Sequence, residues 1–162
     1  MALQNTGEVT VDVDRAAAFE FARNAQQTAQ CIPGCHDLQE ISPNRYAAVL
    51  TSEVAFMTLS FKVVVEVVKI DPPHAIEATA TGDAIKLSGR LVAKASLQFV
   101  EAGQNRTLIR YSADVGLTGK LGSLGQPVLK AKSAEFARQF GANLKAAIEK
   151  ATLPASQEGA RT

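Results

Sequence analysis

The chain has 162 residues, a length that suits one domain. Its 17 basic and 16 acidic side chains leave a formal net charge of +1, which gives no electrostatic argument for binding nucleic acid or an anionic bilayer. Two cysteines do not make a disulfide framework, and neither a signal peptide nor an uncharged apolar run of about 20 residues is visible. A cytoplasmic, reduced protein is therefore expected.

The chain opens with a strand and two short helices. In the segment 7–14, GEVTVDVD, valines alternate with polar residues, which predicts a half-buried strand. Asp14 is placed to cap a helix over RAAAFEFARN, and Asn24 to start a second helix over AQQTAQCI. Pro33 and Gly34 end that helix, because proline cannot continue it and glycine tolerates the turn.

Strands then follow with little interruption. Within 84–100, AIKLSGRLVAKASLQFV, one face carries Leu87, Leu91, Phe99 and small residues, whereas the other is polar except for Val92. This alternation is typical of an antiparallel meander with one solvated face. The six predicted strands are HDLQEIS, RYAAVLTSEV, MTLSFKVVVEVVKI, HAIEATATG, AIKLSGRLVAKASLQFV and RTLIRYSADVGL.

The last element has a helical period. From Gln126 to about Lys150, apolar residues recur at multiples of three to four, which predicts an amphipathic helix of roughly seven turns. We therefore predict an α+β fold. A curved, seven-stranded antiparallel sheet wraps around this long C-terminal helix, and two short helices lie between strands 1 and 2. Residues 1–150 form one domain, and the polar residues 151–162 are expected to be a disordered tail.

Both cysteines and one of the two histidines lie in QCIPGCHDL, residues 30–38. A structural zinc site needs a second pair of ligands, and the other histidine, His74, lies far along the chain. Thioredoxin-like C-x-x-C spacing is also missing. We predict no metal site here; Cys31 packs as a small apolar group at the end of the second helix.

The same stretch resembles the CoxG family of carbon monoxide dehydrogenase subunits, within the START/Bet v 1-like (SRPBCC) helix-grip superfamily. The motif CIPGC after a short helix carries the resemblance, and further pieces follow in the family's order. The resemblance covers about residues 6–150. These pieces are DPP (71–73), GDAIKLSGRLVAKASLQF (82–99), TLIRYSADVGLTGKLGSLG (107–125) and the closing helix with Phe136 and Phe140.

The resemblance implies a protein that holds lipids, polyketides, hormones or quinone-like molecules. It also implies an accessory role to a molybdenum hydroxylase of the carbon monoxide dehydrogenase type, in membrane recruitment, maturation or quinone hand-off. No resident cofactor is expected beyond a bound quinone or lipid. Some relatives end in a hydrophobic anchor, whereas this chain ends in polar residues, so at most peripheral contact with the inner face of the cytoplasmic membrane is expected.

The sequence offers few candidates for catalytic residues. The sequence has no Ser-His-Asp set, phosphate loop or H-E-x-x-H motif. Tyr46 and Tyr111 share a phase with apolar neighbours, so each is either a hydrogen-bond donor into a cavity or a core residue with a solvated hydroxyl. An enzyme resembling a polyketide cyclase or aromatase would need such a pair, or Lys132 from the helix.

The inward surface predicted from the alternation is apolar. Small residues at many inward sites fit either a ligand cavity or a close approach of the helix. A third possibility is a filled core whose segments AFMTLS (55–60) and 116–125 dock a partner. The predicted pocket residues are Met57, Leu59, Phe61, Val63, Leu87, Leu91, Tyr111, Leu121, Leu124, Val128, Leu129 and Phe136.

Overall fold

The structure, a computed structural model, describes residues 2–54 and 57–151. Two parts of the sequence-based predictions, Ala55 and Phe56 of the AFMTLS segment and the tail 152–162, lie outside the described residues. The elements are β1 (Ala2–Val11), α1 (Arg15–Arg23), α2 (Ala25–Ala29), β2 (Cys35–Ser42), β3 (Arg45–Val54), β4 (Met57–Asp71), β5 (Ala75–Ile85), β6 (Gly89–Glu101), β7 (Thr107–Gly119), a 3-10 helix (Lys120–Leu124) and α3 (Gln126–Ala151).

The strands form one seven-stranded sheet in the order β1-β7-β6-β5-β4-β3-β2, and every neighbouring pair is antiparallel. Each strand from β2 to β6 pairs with its successor in the chain, whereas β1 pairs with β7. The predicted fold class is confirmed. Because one face of such a sheet must be covered, α3 provides the cover from the concave side.

The two short helices begin where the sequence places their caps. The Asp14 carboxylate accepts a hydrogen bond from the Ala17 N–H at 2.8 Å, and the Asn24 side chain accepts one from the Gln27 N–H at 3.2 Å. These bonds satisfy N–H groups that lack a partner within the helix. The first helix lies over the end of the sheet, where Phe19 meets Phe99 edge to face at 5.3 Å.

Several element boundaries differ from the predictions; α2, for example, ends at Ala29 instead of Ile32. The first strand begins at Ala2 instead of Gly7, since its polar opening residues pair along β7 without an apolar alternation that the sequence could reveal. The segment 84–100 is not one strand. Lys86 adopts a left-handed φ of 70° and separates β5 from β6, so Leu87 lies in the turn between them.

The long helix α3 is held against β1 by polar contacts along its length. Asn5 Nδ2 donates a hydrogen bond to Ser133 Oγ, and Lys145 Nζ donates to the Thr10 carbonyl at 2.5 Å. Across the sheet, α3 touches β3 only lightly. The helix therefore has a closed seam with β1 and a looser one with β3. No helix in the described part of the chain has the length and apolarity needed to cross a bilayer.

Candidate functional site

The buried core is divided into two clusters. The first cluster joins β1, α1 and the C-terminal half of α3 to one end of the sheet. The second cluster joins β3, β4 and the 3-10 helix to the other end, and Leu129 of α3 packs into it. Buried members of the first include Val11, Phe19, Phe99, Ile109, Leu144 and Ile148, and those of the second include Val54, Leu59, Phe61, Val63, Leu117, Leu121 and Leu129.

Between the two clusters the concave face carries five alanines, which we call the alanine band. Ala95 is exposed and the other four are half-buried, although Leu97 and Phe99 on the same face of β6 are buried. The band consists of Ala78, Ala95 and Ala113 in one row across the sheet and Ala80 and Ala93 in the next.

Most of the predicted pocket residues lie at one end of this band. Five are buried in the second cluster, and Leu87, Leu91 and Leu124 are half-buried against it. Met57 and Val128 are 42% and 37% exposed, so the rest of the protein covers them less than the other predicted pocket residues at that end. That they line a ligand pocket stays a prediction. The five buried residues are Leu59, Phe61, Val63, Leu121 and Leu129.

Tyr111 borders the opposite end of the band. Its ring packs edge to face on Phe140 with centroids 5.6 Å apart, and its register partner on β1 is Gly7. A Cβ on Gly7 would lie 2.6 Å from Tyr111 Cε2, and a Cβ on Gly141 would lie 2.8 Å from its Cζ. Both glycines are therefore required for the ring to lie between β1 and α3. Burial raises the pKa of the Tyr111 phenol above its usual value.

Asn5 and Ser133, which are not among the predicted site residues, bridge β1 and α3 beside the band. Asn5 pairs in register with Ala113, so its side chain is on the concave face with the alanines. Its odd-numbered phase, shared with Val9 and Val11, is the signal that could have identified it. The sequence shows no such signal for Ser133, because its partner is 128 residues away.

The looser seam between α3 and β3 contains a groove of about 220 Å³. Phe136 and Lys132 contribute the α3 wall, together with Gln139, and Lys132 Nζ lies 3.9 Å from Glu135. The opposite wall is made by the Pro33–Gly34 turn and residues 51–53 of β3. Of the predicted pocket residues, Phe136 is the one that lies in this groove.

A chain of three polar side chains lies on the outer face of the described sheet. His36 Nε2 lies 3.0 Å from Thr51 Oγ1, which lies 3.1 Å from Ser60 Oγ, and these side chains point away from α3. A shallow groove of about 310 Å³ also crosses the outer face of β1, β7 and β6, with Ser96 and Ser112 among its lining residues. On β1 and β3 to β7, the described concave positions hold no Asp, Lys, Arg or His, and Glu101 at the end of β6 is their one Glu, paired with Arg15 at 3.3 Å.

The candidates for a catalytic pair are not brought together. Tyr111 contacts α3 at Gly141, nine residues after Lys132, which corresponds to about 13 Å along the helix. Tyr46 lies on β3, four strands from Tyr111 on β7, roughly 19 Å along the sheet.

The two cysteines pack into different clusters. Cys31 is 2% exposed in the first cluster, with its thiol 3.6 Å from the Gln27 carbonyl, as the sequence predicted for the end of the second helix. Cys35 is half-buried against the second cluster. Burial raises the pKa of both thiols, which lowers their reactivity at neutral pH.

Solved structures share this fold at low sequence identity. A conserved protein from Geobacillus kaustophilus superposes with a TM-score of 0.80 at 20% identity, covering 91% of this chain and 95% of its own. The Zhui aromatase/cyclase from Streptomyces sp. R1128 superposes with a TM-score of 0.70 at 14% identity, and the match covers 96% of this chain and 98% of the cyclase chain. A START superfamily protein from Mycobacterium smegmatis superposes with a TM-score of 0.67 at 13% identity, and the match covers 92% of this chain and 99% of that protein. These likenesses establish the START-type helix-grip fold.

No curated protein sequence matches the chain significantly. The sequence model of one family does match, over residues 7–149, which is nearly the whole of the described chain. The chain therefore belongs to the CoxG family of carbon monoxide dehydrogenase subunits.

Proposed function

We propose that this protein binds a large apolar molecule between the alanine band and α3. The division of the core into two clusters, with accessible alanines between them, is the observation that supports the proposal. Apolar surface left open to water is unfavourable, and a ligand that covers it gains the corresponding transfer free energy. The lining is apolar with few polar groups, as in sites for hydrophobic small molecules.

The ligand enters through the groove at the β3 seam. The β1 seam is closed by the Asn5–Ser133 and Lys145–Thr10 hydrogen bonds, whereas α3 and β3 are separated by an open groove lined by Phe136. An opening on that side leaves the hydrogen-bonded seam intact during loading.

Native mass spectrometry of freshly purified protein, with extraction of bound lipids, tests the binding role directly. A co-purifying apolar molecule of defined mass is the expected result. Delipidated protein should also gain thermal stability when ubiquinone, menaquinone or a phospholipid is added, because a ligand that binds only the folded state stabilises it. Protein that carries nothing apolar and responds to none of these compounds contradicts the proposal.

The protein's place in the cell follows from its family. We propose that it serves a molybdenum hydroxylase of the carbon monoxide dehydrogenase type as an accessory protein, in membrane recruitment, maturation or quinone hand-off. Co-purification of the tagged chain with the hydroxylase of the same organism tests this role. A complex that forms with the loaded protein supports it, and a hydroxylase that assembles and works normally without the chain contradicts it.

Contact with the cytoplasmic membrane would use the end of the molecule where β4 and α3 begin. Met57 and Val128 expose apolar side chains there. At the same end, Lys86 is exposed in the turn between β5 and β6, Lys120 at the start of the 3-10 helix and Lys130 near the start of α3. Apolar groups beside cations suit an anionic lipid surface. Sedimentation with phosphatidylglycerol vesicles tests this contact; binding that Met57→Gln together with Val128→Gln leaves unchanged would contradict it.

A cyclase-like enzyme is the second candidate, since an aromatase/cyclase shares the fold. Such an enzyme needs convergent polar groups, and Tyr111 lies far from both Tyr46 and Lys132. The binding role is therefore favoured. Incubation with aromatic polyketide precursors tests the alternative; cyclised product lost in a Tyr111→Phe variant would establish it.

A further inference from the structure

Tyr111 and Asn5 are polar residues of the concave face beside the alanine band, and they differ in one respect. Asn5 and Ser133 satisfy each other, whereas the described residues supply no hydrogen-bond partner for the Tyr111 hydroxyl. No nitrogen or oxygen of a described side chain is both sealed from solvent and unpartnered, so this hydroxyl keeps an accessible surface.

The position of the phenol is fixed by its surroundings. Phe140 packs on the ring edge to face, and the backbones of Gly7 and Gly141 lie against its two sides. Its two sequence neighbours in the same phase are Ala113, in the alanine band, and Ile109, in the first cluster. A rigid donor beside an apolar band loses little entropy when it binds an acceptor.

We propose that the Tyr111 hydroxyl donates a hydrogen bond to a carbonyl or ether oxygen of the bound apolar molecule and thereby selects ligands that carry such an acceptor. This inference rests on the proposed ligand-binding function. A ligand acceptor replaces water as the partner of this accessible hydroxyl, whereas a ligand without an acceptor covers the hydroxyl and leaves it unpaired, which is unfavourable. Burial raises the pKa of the phenol, so it remains a donor at neutral pH.

The test compares 9-fluorenone with fluorene, two tricyclic probes of nearly the same shape that differ in one carbonyl oxygen. Binding to the full, delipidated chain is measured by isothermal titration. We expect the parent protein to bind 9-fluorenone more tightly than fluorene. The Tyr111→Phe variant should lose about three- to tenfold in affinity for 9-fluorenone, as the loss of one net hydrogen bond predicts, and should keep its affinity for fluorene. Because the hydroxyl has no partner among the described residues, this variant keeps the packing of the apo protein.

Two further variants make the result specific. Ser112→Ala removes a hydroxyl from the outer face of the same strand and should leave both affinities unchanged. Tyr46→Phe removes the other phenol of the concave face; loss of 9-fluorenone preference in this variant alone would assign the donor to Tyr46 and overturn the proposal.

The outcomes separate the two proposals. If both probes bind and Tyr111→Phe affects them equally or not at all, ligand binding stands and the role of Tyr111 is wrong. If the parent binds neither probe and no quinone or lipid, the proposed function fails, and the inference fails with it.

Discussion

The phenol of Tyr111 occupies the space that a side chain on Gly141 would need. The ring cannot retreat, since Gly7 of β1 lies against its other side. A helix position that would otherwise favour alanine is therefore restricted to glycine by a residue on the sheet, and this pairing sets how closely α3 approaches β1.

Gly141→Ala should destabilise the protein by about 1–2 kcal/mol. Overpacking costs about 1–3 kcal/mol, and the better helix propensity of alanine offsets up to about 1 kcal/mol. Urea denaturation measures the change. In a Tyr111→Leu background the same substitution should instead stabilise the helix; equal effects in both backgrounds would show that the ring does not confine Gly141.

Ala95→Leu should fill the alanine band. If the space above Ala95 is unoccupied, the larger side chain leaves the free energy of unfolding within about 1 kcal/mol of the parent and abolishes binding of 9-fluorenone. If protein side chains already fill that space, the substitution should lower the free energy of unfolding by about 1–3 kcal/mol. Lys94→Leu, on the outer face of the same strand, is the matched control and should retain binding.

Asn5→Ala and Ser133→Ala should be coupled. Each removes one partner of the hydrogen bond between β1 and α3. A double-mutant cycle is expected to give a coupling energy of about 1 kcal/mol, the usual net value of such a bond. A cycle of Asn5→Ala with Ser123→Ala, an exposed hydroxyl in the 3-10 helix, should give none; similar coupling in both cycles would contradict a direct bond.

The stability of the protein should decrease at alkaline pH. Burial raises the pKa of Cys31 above its ordinary value of 9.0, so the unfolded chain releases this proton first. The stabilising contribution is complete below about pH 9 and is lost as the pH rises toward the folded-state pKa. Cys31→Ala should flatten the decrease in the free energy of unfolding between pH 8 and 10. An unchanged slope would show that the thiol does not titrate differently in the two states.

The alternation and helical periods in the sequence determined the strands, the three helices, their order and the antiparallel sheet. Asp14 and Asn24 identified two helix starts because capping is a local interaction between residues three apart. The turn at Lys86 was missed, since a left-handed φ at lysine has no local signature and the flanking alternation continues through it.

The candidate site depended on tertiary structure to a greater degree. Periodicity placed Leu59, Phe61 and Val63 on the inward face, but it could not show that they pack against one another while Ala95 stays accessible. The distance between the sheet and α3 is set by contacts remote in sequence, such as Tyr111 with Gly141 and Asn5 with Ser133. A sequence specifies which face is apolar through its period; whether that face is filled depends on volumes that only the packed elements define.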